Sequence, residues 1–190
     1  MNKEGNVKFD IHEILRKRWS PRAFSEKKVE KEKIQRMLEA ARWTPSSSNK
    51  QPWAFIIGEK GDEAYDKIFE TLIEFNQLWA KFAPLLMISI GKQNNTYQYD
   101  VGQSVAHLTF QAAHDGLYVH QMAGFSPEKA RKIFDIPEFY DALTAIAVGY
   151  IGDYTILPKR MQKSELAERE RKEINDFVYS EKFGKVSHLI

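Results

Sequence analysis

Apolar positions recur along this chain in two rhythms, helical spacing and short unbroken runs, and the two alternate. Ile11, Ile14 and Leu15 predict a short helix over 10–18 that stops at Trp19-Ser20-Pro21. Ile34, Met37, Leu38 and Ala41 form one stripe and predict a helix over about 30–43. The segment 44–52 carries three serines, an asparagine and a proline near each end, and reads as a loop. A short strand over 53–58 and a longer helix over 61–82 follow, the helix ending before Pro84. Residues 85–90 are a run of strand length, apolar but for Ser89, the pattern of a strand buried on both faces.

The second half continues the alternation. Asp100 is placed to cap a helix, with Gln103 returning a hydrogen bond. Val101, Val105, Leu108 and Ala112 follow at core spacing, and Gly116 suits the stop. With so few charges, that helix calls for burial on several sides, and a dimer interface would supply it. A strand over 117–122 comes next, then a helix opened by Ser126 as cap and Pro127 in the first turn. Residues 142–149 predict the last strong strand, and 154–172 a charged helical arm leading into a mixed tail. The alternation argues for one α/β or α+β domain without repeat or linker.

Composition narrows the function classes. A chain of 190 residues with 43% apolar and 28% charged positions can bury a sizeable core without staples. The net charge of +2 is too small to imply a nucleic-acid partner, so any anion must be met by local clusters of Lys and Arg. With no cysteine, disulfides, thiol nucleophiles and zinc–thiolate sites are excluded. The polar start has no apolar core of a signal peptide, and the longest apolar run, 84–90, cannot span a bilayer. A cytoplasmic protein without membrane contact is the expectation.

Four constellations could carry chemistry. Arg18-Trp19-Ser20-Pro21-Arg22 puts two guanidiniums and a hydroxyl together, a cradle for phosphate, although alone it also reads as a solvated basic turn. The loop 45–53 offers many neutral donors and acceptors between stiffening prolines, as a heteroaromatic ligand needs, or it is a surface turn. Gln121-Met122-Ala123-Gly124-Phe125 ends a strand where a glycine admits close backbone approach. Arg169 and Arg171 could join Arg18 and Arg22 on one anion, or stay solvated. Together these imply an anionic, partly aromatic small molecule. His107 and His114, in the central helix, read as packing or interface residues.

The spacing Arg18-Trp19-Ser20-x-Arg22-x-Phe24, then Pro45-Ser46-Ser47-x-Asn49-x-Gln51-Pro52-Trp53, resembles the FMN-dependent nitroreductase family. The likeness continues through Asp100-Val101-Gly102, Gln121 to Phe125, Gly149-Tyr150 and Arg169-x-Arg171-Lys172, in order along nearly the whole chain. It implies an α+β fold with a central, mostly antiparallel sheet flanked by helices. It further implies an intertwined homodimer with FMN at each end of the interface, and a C-terminal arm over about 153–190 contacting the partner subunit.

Carried over, Arg18, Ser20 and Arg22 would hold the phosphate and ring edge, with Arg169 and Arg171 closing on the phosphate. Trp19 would pack on the ribityl chain or flavin. Pro45, Ser46, Ser47 and Asn49 would reach the other subunit's FMN, and Asn76 the pyrimidine edge. Gln121, Met122 and Gly124 would line the flavin face, with the Ala123 and Gly124 N–H groups near N5. Ala123 stands where some members carry glutamate and Gln121 where some carry proline, which touches the flavin's potential and substrate face. The chain also lacks the long insertions with which some relatives cover the site.

The activity implied is a ping-pong reduction: hydride from NADH or NADPH to the flavin, then to a small electron-poor acceptor such as a nitroaromatic or quinone. No side chain is required as a catalyst, because the flavin carries the redox chemistry. Competing readings are a flavin carrier or sensor without turnover, and a specialised flavin enzyme on the same fold, a dehalogenase or a flavin-cleaving enzyme. No metal is expected.

Overall fold

The computed structural model describes residues 3–190. Four strands, β1 (Trp53–Glu59), β2 (Leu85–Lys92), β3 (Tyr118–Met122) and β4 (Tyr140–Gly149), form one sheet in the order β1-β2-β4-β3. Every pairing is antiparallel, with Trp53 opposite Gly91, Leu85 opposite Val148, and Met122 opposite Ala145. The expected α+β arrangement with an antiparallel sheet is therefore what forms.

Strand periodicity explains how one sheet serves two cores. Leu86 and Ile88 point to one face with Ile68, Trp79 and Met122. Leu85 and Met87 point to the other, with Met37, Val105, Leu108 and Ile146. The first face is covered by α3 (Glu63–Thr71), α4 (Glu74–Ala80), α6 (Pro127–Ile133) and α7 (Lys159–Leu166). The second is covered by α2 (Lys31–Arg42) and α5 (Tyr97–His114). A short α1 (Glu13–Lys17) precedes them.

Three elements differ from the sequence expectation. The single helix expected over 61–82 is two helices. Leu72 is extended, with φ −71° and ψ 145°, and bridges Phe125 as in a strand. Thr71 O accepts from Ser126 N and Ile73 N donates to Gly124 O, so backbone pairing to the segment after β3 replaces the helical bonds there. The central helix begins at Tyr97, three residues before Asp100, whose carboxylate accepts from the Ser47 amide and the Thr96 hydroxyl. The arm expected to be helical over 154–172 is α-helical only in α7. α7 buries Met161, and after it Ala167 turns the backbone extended.

Candidate functional site

Arg18 follows α1 as its C-cap in an extended conformation, and this ends the helix and starts the turn 18–23. Its Nη1 donates to Ser20 Oγ at 3.1 Å, so two of the expected phosphate ligands lie side by side at the surface. Trp19, expected to pack on the ribityl chain or flavin, lies between them in the same turn. It is 6% exposed, turned inward edge-on to Tyr118 at 6.1 Å, with Lys3 Nζ 4.7 Å from its ring centroid. The Nε of Arg22 is buried and finds no hydrogen-bond partner among the described residues. A cavity of about 300 Å³ beside the turn is lined by Arg18, Trp19, Thr109 and Tyr118 among others, and stops short of the 121–124 turn.

The C-terminal arm brings Arg169 and Arg171 to this turn. Burial, then the charges of Arg169 and Arg171, hold the Arg18 guanidinium below its usual pKa, and burial and Arg171 do the same to Arg169. Three like charges thus share one small region, an arrangement that an anion relieves. Arg169 Nη1 donates to Lys3 O at 2.7 Å and Arg16 O at 2.9 Å. Arg171 Nη1 donates to Glu170 O.

β3 ends at Met122, which is buried, while Gln121 and Ala123 are exposed. Gln121 Nε2 donates to Thr109 Oγ1 at 3.3 Å, which draws its side chain toward α5. The N–H groups of Ala123 and Gly124 meet no acceptor among the described residues. Gly124 is required by its own chain: a Cβ there would lie 2.6 Å from Asn76 Nδ2 and 2.7 Å from Ile73 Cδ1.

Asn76 is committed to internal bonds. Its Nδ2 donates to Gly124 O at 2.9 Å and its Oδ1 accepts from Trp79 Nε1 at 3.2 Å, leaving one amide N–H uncommitted. Trp79 in turn lies 4.5 Å from the ring of His120, whose Nδ1 reaches Pro21 O at 2.8 Å. A carbonyl can only accept, so Nδ1 carries the proton and Nε2 is an acceptor. Burial, with Arg22 and Arg18 nearby, pushes this imidazole down to about 4.

The loop 45–52 contains a 3-10 turn, Ser47–Asn49, with Ser48, Asn49 and Gln51 all at positive φ between 49° and 53°. Non-glycine residues held there carry strain of roughly 1 kcal/mol or more each, and such strain gathers at functional sites. Asp100 pins the loop through Ser47 N, and Ser46 Oγ accepts from Gln51 N. Pro45 and Asn49 stay exposed. This loop feeds β1, at the opposite sheet edge from β3, about 14 Å away across three strand spacings. Arg18, Ser20, Arg169 and Arg171 therefore gather beside Arg22, and Asn76 with Gln121–Gly124 forms a second cluster joined to them through His120. The loop stands apart from both.

Two residues in this region were not singled out from the sequence. His120 sits in a strand whose apolar pattern masks it. Glu165 lies in a charge run that reads as solvated, yet it is 1% exposed, and its Oε1 accepts from Arg22 N at 2.7 Å and Ala23 N at 3.0 Å.

Comparison with known proteins bears on the family and the fold. The family model described as Nitroreductase family matches residues 15–85, a span holding both the 18–22 turn and the 45–53 loop. A solved structure described as an oxidoreductase containing FMN is 30% identical with a TM-score of 0.91, covering 95% of this chain and 96% of its own. A nitroreductase family protein from Clostridium difficile 630 has a TM-score of 0.74 at 24% identity, covering 92% and 99%, a likeness of fold. A protein of Methanothermobacter thermautotrophicus, provisionally named NADH dehydrogenase/NAD(P)H nitroreductase, is 28% identical over 158 residues, 77% of this chain and 81% of its own.

Proposed function

This chain belongs to the nitroreductase family, and from that membership we propose that it is an FMN-dependent, NAD(P)H-oxidising reductase that works as a homodimer. The observation that carries the proposal is the meeting of Arg18, Arg169 and Arg171 beside the unpartnered Nε of Arg22. Clustered guanidiniums suit a phosphate monoester, which they bind through paired N–H donors. The free N–H groups of Ala123 and Gly124 supply donors for the polar edge of a flavin ring, next to a turn rigidified by Asn76.

FMN held by these residues would supply the redox chemistry of a ping-pong cycle between NADH or NADPH and a small electron-poor acceptor, a nitroaromatic or quinone. The protein's part is binding and electrostatics. Arg18, Ser20, Arg22, Arg169 and Arg171 hold the phosphate and offset the negative charge that reduction adds. No acid, base or nucleophile is required of a side chain.

The strained loop 45–49 supports the homodimer. Its donors lie at the far sheet edge from the 121–124 turn of the same chain, so they serve the site of a second copy. Exposed Phe177, Phe183 and Leu189, at 58%, 92% and 80%, fit an arm over about 153–190 lying against that copy. Among the described residues no helix is long and apolar enough to cross a membrane.

Steady-state oxidation of NADH and NADPH by the FMN-loaded protein, with a quinone and a nitroarene as acceptors, tests the reading. Turnover with either nucleotide is expected. Tight FMN binding without oxidation of either would leave a flavin carrier instead.

A further inference from the structure

Glu165 is the one residue of α7's last turn that is fully withdrawn from water, while Lys163, Ser164 and Leu166 around it are exposed. Burying a carboxylate costs several kcal/mol unless hydrogen bonds replace its water. The C-terminal end of a helix adds to that cost, because its carbonyls repel an anion. α7 gains nothing from this placement by itself. The compensation comes from 142 and 143 residues away, where the amides of Ala23 and Arg22 both donate to Oε1.

These bonds sit at a junction of three segments. The backbone oxygen of Glu165 accepts from Lys3 Nζ at 2.6 Å. Four residues on, Arg169 donates to Lys3 O and Arg16 O. The turn between Arg16 and Ala23 is thus tied to the arm at both its ends, while His120 holds Pro21 from the sheet side.

We propose that Glu165 is a positioning residue for the phosphate clamp: it fixes the backbone at Arg22 and Ala23, and so holds the 18–22 turn in register with Arg169 and Arg171. The proposal rests on the flavin-phosphate reading above. It accounts for a negative charge beside a site for an anion. The carboxylate is spent on two backbone amides, and it faces the peptide side of the turn whose guanidiniums serve the ligand.

The test compares FMN with riboflavin, which has the same ring and chain but no phosphate. Dissociation constants for both are measured by flavin fluorescence on the wild-type protein and on Glu165→Ala, Glu165→Asp and Glu165→Gln. The wild type is expected to prefer FMN by at least about a hundredfold, and Glu165→Ala to lose about tenfold or more of that preference with riboflavin binding unchanged. Glu165→Gln, whose amide oxygen can accept the same two bonds, should keep the wild-type preference. Glu165→Asp, which withdraws the acceptor by one methylene, should fall between, and it carries the test if Glu165→Ala does not fold. An undiminished preference in Glu165→Ala and Glu165→Asp overturns the role of Glu165 alone, as does an equal loss of both flavins, which marks a purely structural residue. A wild-type protein that binds both flavins equally overturns the clamp and this proposal together.

Discussion

His120 Nδ1 donates to the carbonyl oxygen of Pro21 at 2.8 Å, joining the third residue of β3 to the middle of the turn that carries Arg18 and Arg22. The ring continues onto Trp79, Trp79 onto Asn76, and Asn76 onto Gly124. The two clusters of the candidate site are therefore joined by one chain of contacts. Displacement at either end is resisted at the other.

That histidine makes stability depend on pH. In the folded chain burial lowers its pKa from 6.5 to about 4, with Arg22 and Arg18 adding to the effect against the Pro21 bond. Between those values the unfolded chain binds a proton that the folded chain refuses, so its contribution is whole above about pH 6.5 and declines toward pH 4. The loss is at most about 3 kcal/mol. Urea midpoints at about pH 7.5 and about pH 5 should differ in the wild type, and His120→Gln should remove most of that difference.

Asn76→Ala leaves the Trp79 N–H and the Gly124 carbonyl without their partner. A loss of about 2 kcal/mol in unfolding free energy is expected from the two buried bonds. With the 121–124 turn proposed to face the flavin ring, FMN and riboflavin should weaken by the same factor. Parallel titrations with the two flavins check this.

Gly124→Ala forces a methyl group to within 2.6 Å of Asn76 Nδ2 and 2.7 Å of Ile73 Cδ1. Asn76 is held by Trp79 and cannot yield freely, so the cost should be about 1–3 kcal/mol. Chemical denaturation measures it. A variant as stable as the wild type would show that α4 can shift.

Asp100→Ala removes the anchor of the Ser47 amide and of Thr96. Amide exchange over 46–51 should speed up by about tenfold, because the loop's left-handed residues lose their support, while exchange in β2 and β4 stays as it was. Mass-detected hydrogen exchange on the whole chain reads both regions at once.

Strand runs and helical stripes were legible because burial itself writes them: 85–90 is apolar but for Ser89, since both faces of β2 are covered. The break at Leu72 was not, because it comes from pairing with Phe125, fifty-three residues on, and local propensity favours a helix across it. Asp100 reads as a cap from its neighbours alone, yet its partners are the preceding turn and a loop fifty-three residues away. In the candidate site, arginines and small polar residues stood out by type and order. Glu165 did not, since nothing in a run such as Lys163-Ser164-Glu165-Leu166 distinguishes a buried carboxylate from a solvated one. Trp19 was visible, but its inward turn is set by Tyr118 and Lys3.

The most direct measurement is the visible absorption of the FMN-loaded protein under anaerobic titration with NADH or NADPH, followed by a quinone. One flavin held per chain is expected, with bleaching of its visible bands by at least one of the two nucleotides and recovery of those bands when the quinone is added. Protein that retains no FMN, or whose bound flavin keeps its colour with both nucleotides, would contradict the proposed function.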